Sequence, residues 1–192
     1  VLVYVTTFDN RKTFQSLPRL LGKRGVSAWV CSYELLFRLP FVPRATYIFT
    51  DFDRLCPAEL EVAVRIYKRL CLTGQRVLND PRRFLPREAL LKRFHLAGIN
   101  HFTCHLPASG EVPNRFPVFL RTIAGHRGVI GRLLPDLDAA NKALQAAIAD
   151  GHPIRDLVFI EYAAEPDPMT GAFQKHSAFK VGNRIFRANT VN

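Results

Sequence analysis

The sequence predicts two arrangements in succession, α/β then α+β: an open, mostly parallel sheet over residues 1–80, then helices beside an antiparallel sheet over residues 81–192. Three observations carry this. Short apolar strands alternate with helical patterns as far as Leu78, the order that builds parallel sheets. From Pro86 onward the order becomes one helix, several extended stretches, a second helix and further strands. Between those helices a run of Val118, Phe119 and Leu120 ends in Arg121 and passes into a loop holding Gly125, Gly128 and Gly131.

In chain order, Leu2 to Val5 is a buried central strand opening into Thr6, Thr7, Asp9 and Asn10, a loop at which a ligand can sit. Leu17, Leu20 and Leu21 recur at helical spacing behind Ser16, with Pro18 tolerated in the first turn and Gly22 and Gly25 near the exit. Ala28 to Ser32 and Thr46 to Thr50 are the next strands; the stretch between them, broken by Pro40 and Pro43, takes no assignment. Pro57 starts a helix with a stripe of Leu60, Val64, Tyr67 and Leu70 or Cys71, ended by Gly74. Arg76 to Leu78 is a short fourth strand.

Beyond Pro86, Leu90, Leu91, Phe94 and Ala97 share a helix face that Gly98 terminates. An extended Phe102 to Leu106, a polar loop Pro107 to Arg115, the Phe119 strand, the Gly loop and a strand at Val129 to Leu133 follow. The next helix begins at Asp136, turns Ala140, Leu144, Ala147 and Ile148 inward and ends at Gly151. Strands at Leu157 to Glu161 and Ile185 to Val191 complete the series.

A chain of 192 residues that is 48% hydrophobic is long enough for a real core, while its apolar runs fall far short of the ~18 residues that cross a bilayer. The first strand lacks the basic start and longer apolar core of a signal peptide, so a cytoplasmic address is expected. Cys31, Cys56, Cys71 and Cys104 have no paired spacing and read as reduced, small apolar fillers. A net charge of +11 suits nucleic acid, an anionic surface or a polyanion such as ATP. The cations are spread over at least six segments, which favours solvated faces plus one or two sites. The chain does not begin with Met and is expected to be part of a longer protein.

Three clusters invite chemistry. Asp51 and Asp53, after a strand, can hold a metal or can cap the turn before the Pro57 helix, and capping is the expectation. His95, His101, Cys104 and His105 suggest zinc, but on a strand His101 and Cys104 face opposite ways and no matching pair exists elsewhere. The strand ending in Arg121 suits a phosphate, since backbone N–H groups in a Gly-rich loop approach anions closely. A solvated basic hairpin tip is the plainer alternative.

That stretch, with the helix ending Gly98-Ile99 upstream and the strand Leu157 to Glu161 running into Tyr162, Ala163 and Ala164 downstream, resembles the ATP-grasp superfamily over roughly residues 1–190. The resemblance implies a substrate-side, pre-ATP-grasp domain at 1–80. At 81–192 it implies the small lobe and the start of the large lobe of an ATP-grasp domain, incomplete at its C-terminal end. It implies ATP and Mg²⁺, and a ligase reaction in which a carboxylate is phosphorylated and an amine attacks the acylphosphate. Arg87 and Arg121 fall where the family places two ATP-binding Lys residues. Arg keeps the charge and offers bidentate phosphate contacts, but replaces a compact ammonium with a planar fork, which leaves catalytic competence open.

Gly125, His126, Arg127 and Gly128 match the flap, and backbone groups of Glu161, Tyr162 and Ala164 match the adenine edge. Asp167 is the acid nearest the family's ribose-binding Glu. Lys175 is either a further phosphate-facing cation or a solvated strand residue. The family's Mg²⁺ ligands lie beyond the equivalent of Asn192, so the chain as given is not expected to be a complete catalyst. The alternative function is a basic nucleic-acid-binding or assembly module on a degenerate ATP-grasp scaffold. The sequence names neither the amine nor the carboxylate substrate, nor an oligomeric state.

Overall fold

The computed structural model describes residues 1–123, 128–171 and 177–187. The chain divides into two compact units, the first Val1–Leu90 with the described residues of Thr122–Gly128, the second Leu91–Arg121 with the described residues from Val129 on. Among the described residues no helix is long and apolar enough to cross a membrane.

In the first unit β1 (Leu2–Thr6), β2 (Ala28–Ser32), β3 (Thr46–Phe49) and β4 (Val77–Leu78) form a parallel sheet in the order β2-β1-β3-β4. Helix α1 (Leu17–Gly22) connects β1 to β2, and α2 (Tyr33–Arg38) follows β2 at once. Because side chains alternate along a strand, Val3 and Val5 share a sheet face with Tyr47 and Phe49 of β3. All four are buried, and they pack with Tyr33 and Leu36 of α2 and with Ala63 and Leu70 of α3 (Pro57–Leu72) as one core. The unassigned stretch thus contains a helix: Ser32 Oγ accepts from the Leu35 N–H at 3.2 Å, and α2 ends at Arg38, before the prolines that obscured it.

Asp51, the first carboxylate after β3, does other work than the expected capping. Asp51 has φ +58° and turns its side chain back to the end of β1. Its Oδ2 accepts from the Thr6 hydroxyl, from the Thr7 N–H at 3.1 Å and from the Thr7 hydroxyl at 3.3 Å, and its Oδ1 accepts from Asn10 Nδ2 at 2.9 Å. Asp51 therefore ties two strand ends together. The α3 terminus is held instead by Glu59, whose Oε2 accepts from the Cys56 N–H at 2.8 Å.

Helix α4 (Arg87–Leu96) closes as its sequence demands: Gly98 has φ +68°, the Gly98 N–H donates to His95 O and the Ile99 N–H donates to Phe94 O. In the second unit β5 (Cys104–His105), β6 (Val118–Thr122), β7 (Val129–Leu134) and β8 (Leu157–Glu161) form a sheet in the order β5-β8-β6-β7, with β5 antiparallel to β8 and β6 antiparallel to β7. Helix α5 (Leu137–Ala149) starts where Asp136 Oδ1 accepts from the Ala139 N–H at 2.8 Å. It packs Ala140, Ala143, Leu144 and Ala147 against Val118, Leu120, Leu134, Leu157 and Phe159. Ile148, expected on that inner face, is exposed. A separate hairpin of β9 (Ala178–Val181) and β10 (Arg184–Arg187) carries exposed side chains throughout.

Candidate functional site

Strand β6 assigns its side chains by alternation. Val118 and Leu120 enter the α5 core, so Phe119 and Arg121 belong to the opposite face. On β8 the core takes Leu157 and Phe159, which sends Tyr162, one residue past the strand, to the same side as Phe119. The two rings meet edge to face, 5.6 Å between centroids. Arg121 thus stands two residues, roughly 7 Å, along β6 from an aromatic pair.

Immediately beyond Arg121 the sequence turns glycine-rich. Gly128 and Gly131 both have positive φ, +79° and +73°. Gly131 lies in an irregularity of the β6–β7 pairing, where Val118 faces Leu134 but Leu120 faces Ile130. Residues 131–133 of β7 therefore lie opposite Phe119 alone on β6, a bulge that an L side chain at φ +73° would strain.

Glu161 has the reverse orientation from Tyr162. Its carboxylate is buried on the α5 side, with Oε1 3.0 Å from His105 Nε2 and Oε2 accepting from the Thr103 N–H at 3.0 Å. Its own N–H donates to Thr103 O, and the Tyr162 N–H donates to Pro117 O. Of the expected adenine edge, the N–H groups of Glu161 and Tyr162 are thus already bonded within the sheet.

Asp167 folds the segment after this edge. Its Oδ1 accepts from the N–H groups of Met169 and Thr170, both at 2.9 Å, and from the Thr170 hydroxyl at 3.1 Å, while its carbonyl accepts from the Gly171 N–H. One carboxylate oxygen is therefore occupied by the turn. Arg87 stands at the start of α4, in the first unit. Gly125, His126, Arg127 and Lys175 lie outside the described residues.

A contact that the sequence did not announce fastens α4 to the polar loop. Lys92 Nζ lies 2.5 and 2.7 Å from the two Glu111 carboxylate oxygens, and Glu111 Oε2 also accepts from the Leu106 N–H at 2.9 Å. The Lys92 hydrogen bonds, set against partial burial and aided by the Leu106 N–H, hold the Glu111 carboxyl below the usual carboxylate range. Neither this pair, 19 residues apart, nor His105 and Glu161, 56 apart, has a local spacing that could have revealed it.

His101, Cys104 and His105 do not assemble a metal site: among the described residues no group of three or more His, Cys, Asp or Glu is placed to hold an ion. The histidine instead serves Glu161, and Cys104 is buried.

No protein-family model matches the sequence, and no curated protein matches it. Solved structures similar to the chain include an ATP-grasp RimK-domain protein from Sphaerobacter thermophilus DSM 20745, at 16% identity and a TM-score of 0.48, covering 99% of this chain and 90% of that one. Another is the ATP-grasp ligase PsnB complexed with a minimal precursor, at 15% identity and a TM-score of 0.46, covering 97% of this chain and 74% of that one. These are likenesses in the course of the chain, and no residue role follows from them.

Proposed function

We propose that the second unit binds ATP on the β6 face that carries Phe119 and Arg121, in the manner of ATP-grasp proteins, and that the chain belongs to a carboxylate–amine ligase working in the cytoplasm. The observation that carries this reading is the placement of Arg121 beside the Phe119–Tyr162 pair, at the entry to a glycine-rich segment.

In this reading the guanidinium of Arg121 neutralises phosphate charge. Phe119 and Tyr162 form one apolar wall for the base. Because the N–H groups of Glu161 and Tyr162 serve the sheet, the hydrogen bond to the base edge falls to the Ala164 N–H, and small side chains at 163 and 164 let the ring lie against the chain. Asp167 orders the following turn and is the acid nearest the ribose in this reading. Lys175 is the further cation of the phosphate end.

The phosphoryl group of ATP activates a carboxylate and an amine then displaces phosphate, so positioning and charge neutralisation, not a protein nucleophile, supply the rate. The described residues hold no cluster that fits Mg²⁺, and no step is assigned to a metal. Four free cysteines accord with a reducing compartment.

Titration calorimetry with a non-hydrolysable ATP analogue tests the reading. Saturable binding that is lost in Arg121→Ala is expected. Absence of binding overturns it, and nucleic-acid affinity that falls steeply with salt yet survives loss of Arg121 would favour the basic-module alternative.

A further inference from the structure

Strand β2 is the edge of the parallel sheet, and among the described residues no strand pairs with its outer side. Natural edge strands are usually blunted by a charge, a proline or a bulge. This one, Ala28-Trp29-Val30-Cys31-Ser32, has none of them. Its Trp29 is 56% exposed, and beside it Leu35 is 53% and Leu39 39% exposed. Between β2 and α2 lies an apolar cavity of about 170 Å³, lined among others by Trp29, Cys31, Leu35, Leu39 and Tyr47. Small-molecule pockets run to ~300–1,000 Å³, so this one is of a size for a protein side chain.

The sheet register decides what kind of strand fits. The Leu2 N–H donates to Ser27 O, and Leu2 is the register partner of Ala28. In a parallel ladder this turns the backbone groups of Ser27, Trp29 and Cys31 towards β1, and those of Ala28, Val30 and Ser32 outward. Those three outward residues are symmetric about Val30. A second copy of β2 running antiparallel can pair Val30 with Val30 and Ala28 with Ser32 through hydrogen bonds. Trp29 then faces Cys31 as a non-hydrogen-bonded pair, the arrangement that brings side chains closest. Cys31 lines the cavity, so each indole arrives at the partner's cavity.

Charge agrees with the same geometry. Exposed Lys23 and Arg24 precede β2 and exposed Glu34 follows it. Antiparallel pairing sets the basic end of one strand beside the acidic end of the other, twice.

We propose that the chain self-associates across a two-fold axis at Val30, joining two four-stranded sheets through β2 and seating each Trp29 in the other copy's cavity. The proposal does not depend on the nucleotide reading. Since Trp29 is the only tryptophan, its fluorescence reports this surface alone.

The test is sedimentation of the chain with fluorescence over dilution from about 100 µM to about 0.1 µM, a span of roughly 4 kcal/mol in association free energy. A dimer is expected whose emission shifts to the blue on association, and which Trp29→Lys weakens by at least about thirtyfold, the scale of a buried aromatic anchor. Glu34→Lys and the double variant Lys23→Glu, Arg24→Glu should each associate poorly with themselves and well when mixed, a recovery that misfolding cannot imitate. A monomer at every concentration, a dimer with unshifted emission, or a Trp29→Lys dimer of unchanged affinity overturns the proposal.

Discussion

Glu161 buries its carboxylate against His105, with Oε1 3.0 Å from Nε2, while the other oxygen takes the N–H of Thr103. The pair joins the end of β8 to β5, just before the segment expected to meet a base. Glu161→Ala removes the partner of two half-buried groups, the Thr103 N–H and the His105 ring, each of which then carries a desolvation cost. The variant should lose about 2–3 kcal/mol of stability, read as a lower urea midpoint at unchanged slope. Glu161→Gln keeps an oxygen for the Thr103 N–H and should lose less.

Asp51 makes the first unit sensitive to acid. Burial by itself pushes its carboxyl up, but hydrogen bonds from Thr6, Asn10 and Thr7 together outweigh burial and hold it below the ordinary carboxylate range. A depressed folded value contributes stability above the unfolded value and loses it as pH falls through the folded one. The urea midpoint should therefore decline below about pH 4 in the native chain. Asp51→Asn, which tolerates the left-handed backbone at φ +58° and retains one acceptor, should be less stable at neutral pH and show a flatter acid limb.

The elements that were legible in the sequence are those whose signals are local. Gly98 after Phe94 and Ala97, Asp136 before Ala140 and Ala147, and the apolar run Val118 to Leu120 ending in Arg121 each follow from one turn of helix or one short strand. Helix α2 was hidden because six residues hold too little periodicity to outweigh Pro40 and Pro43 close behind. Asp51 was misread because its partners Thr6 and Asn10 are 45 and 41 residues away, while the Pro57 turn was near at hand. The same limit applies to the site. Sequence order put Arg121 and Tyr162 in view, but only the pairing of β8 with β6 puts Tyr162 against Phe119.

Cys56 occupies a position where its chemistry is not the best available. It precedes Pro57 at the start of α3, with the Glu59 carboxylate already accepting from its backbone N–H. A hydroxyl accepts from the N3 N–H far better than a thiol does, so serine strengthens the side-chain half of the capping box that Cys56 forms with Glu59. Cys56 is exposed, so the exchange disturbs no packing. Cys56→Ser should raise stability by about 0.5–1 kcal/mol, measured by thermal denaturation, and Glu59→Ala in that background should cancel most of the gain.

Arg121 separates the nucleotide reading from a merely basic hairpin. Its neighbours Leu120 and Val118 fill the α5 core, whereas Arg121 lies on the face shared by Phe119 and is only partly buried. Deleting its side chain should therefore leave the packing of that core intact. If it meets the α- or β-phosphate, Arg121→Ala removes a charge-assisted contact of about 1.5–3 kcal/mol and weakens binding of an ATP analogue ten- to a hundredfold. Arg121→Lys, which keeps the charge but not the planar fork, should recover part of the loss. Arg127→Ala should cost less in ground-state affinity, because a flap that closes over bound nucleotide spends part of its attraction on ordering itself. Calorimetry on the three variants gives the ranking. If Arg121→Ala binds within twofold of the native chain while keeping its urea midpoint, the cation does not touch a phosphate and the site proposed on β6 is wrong.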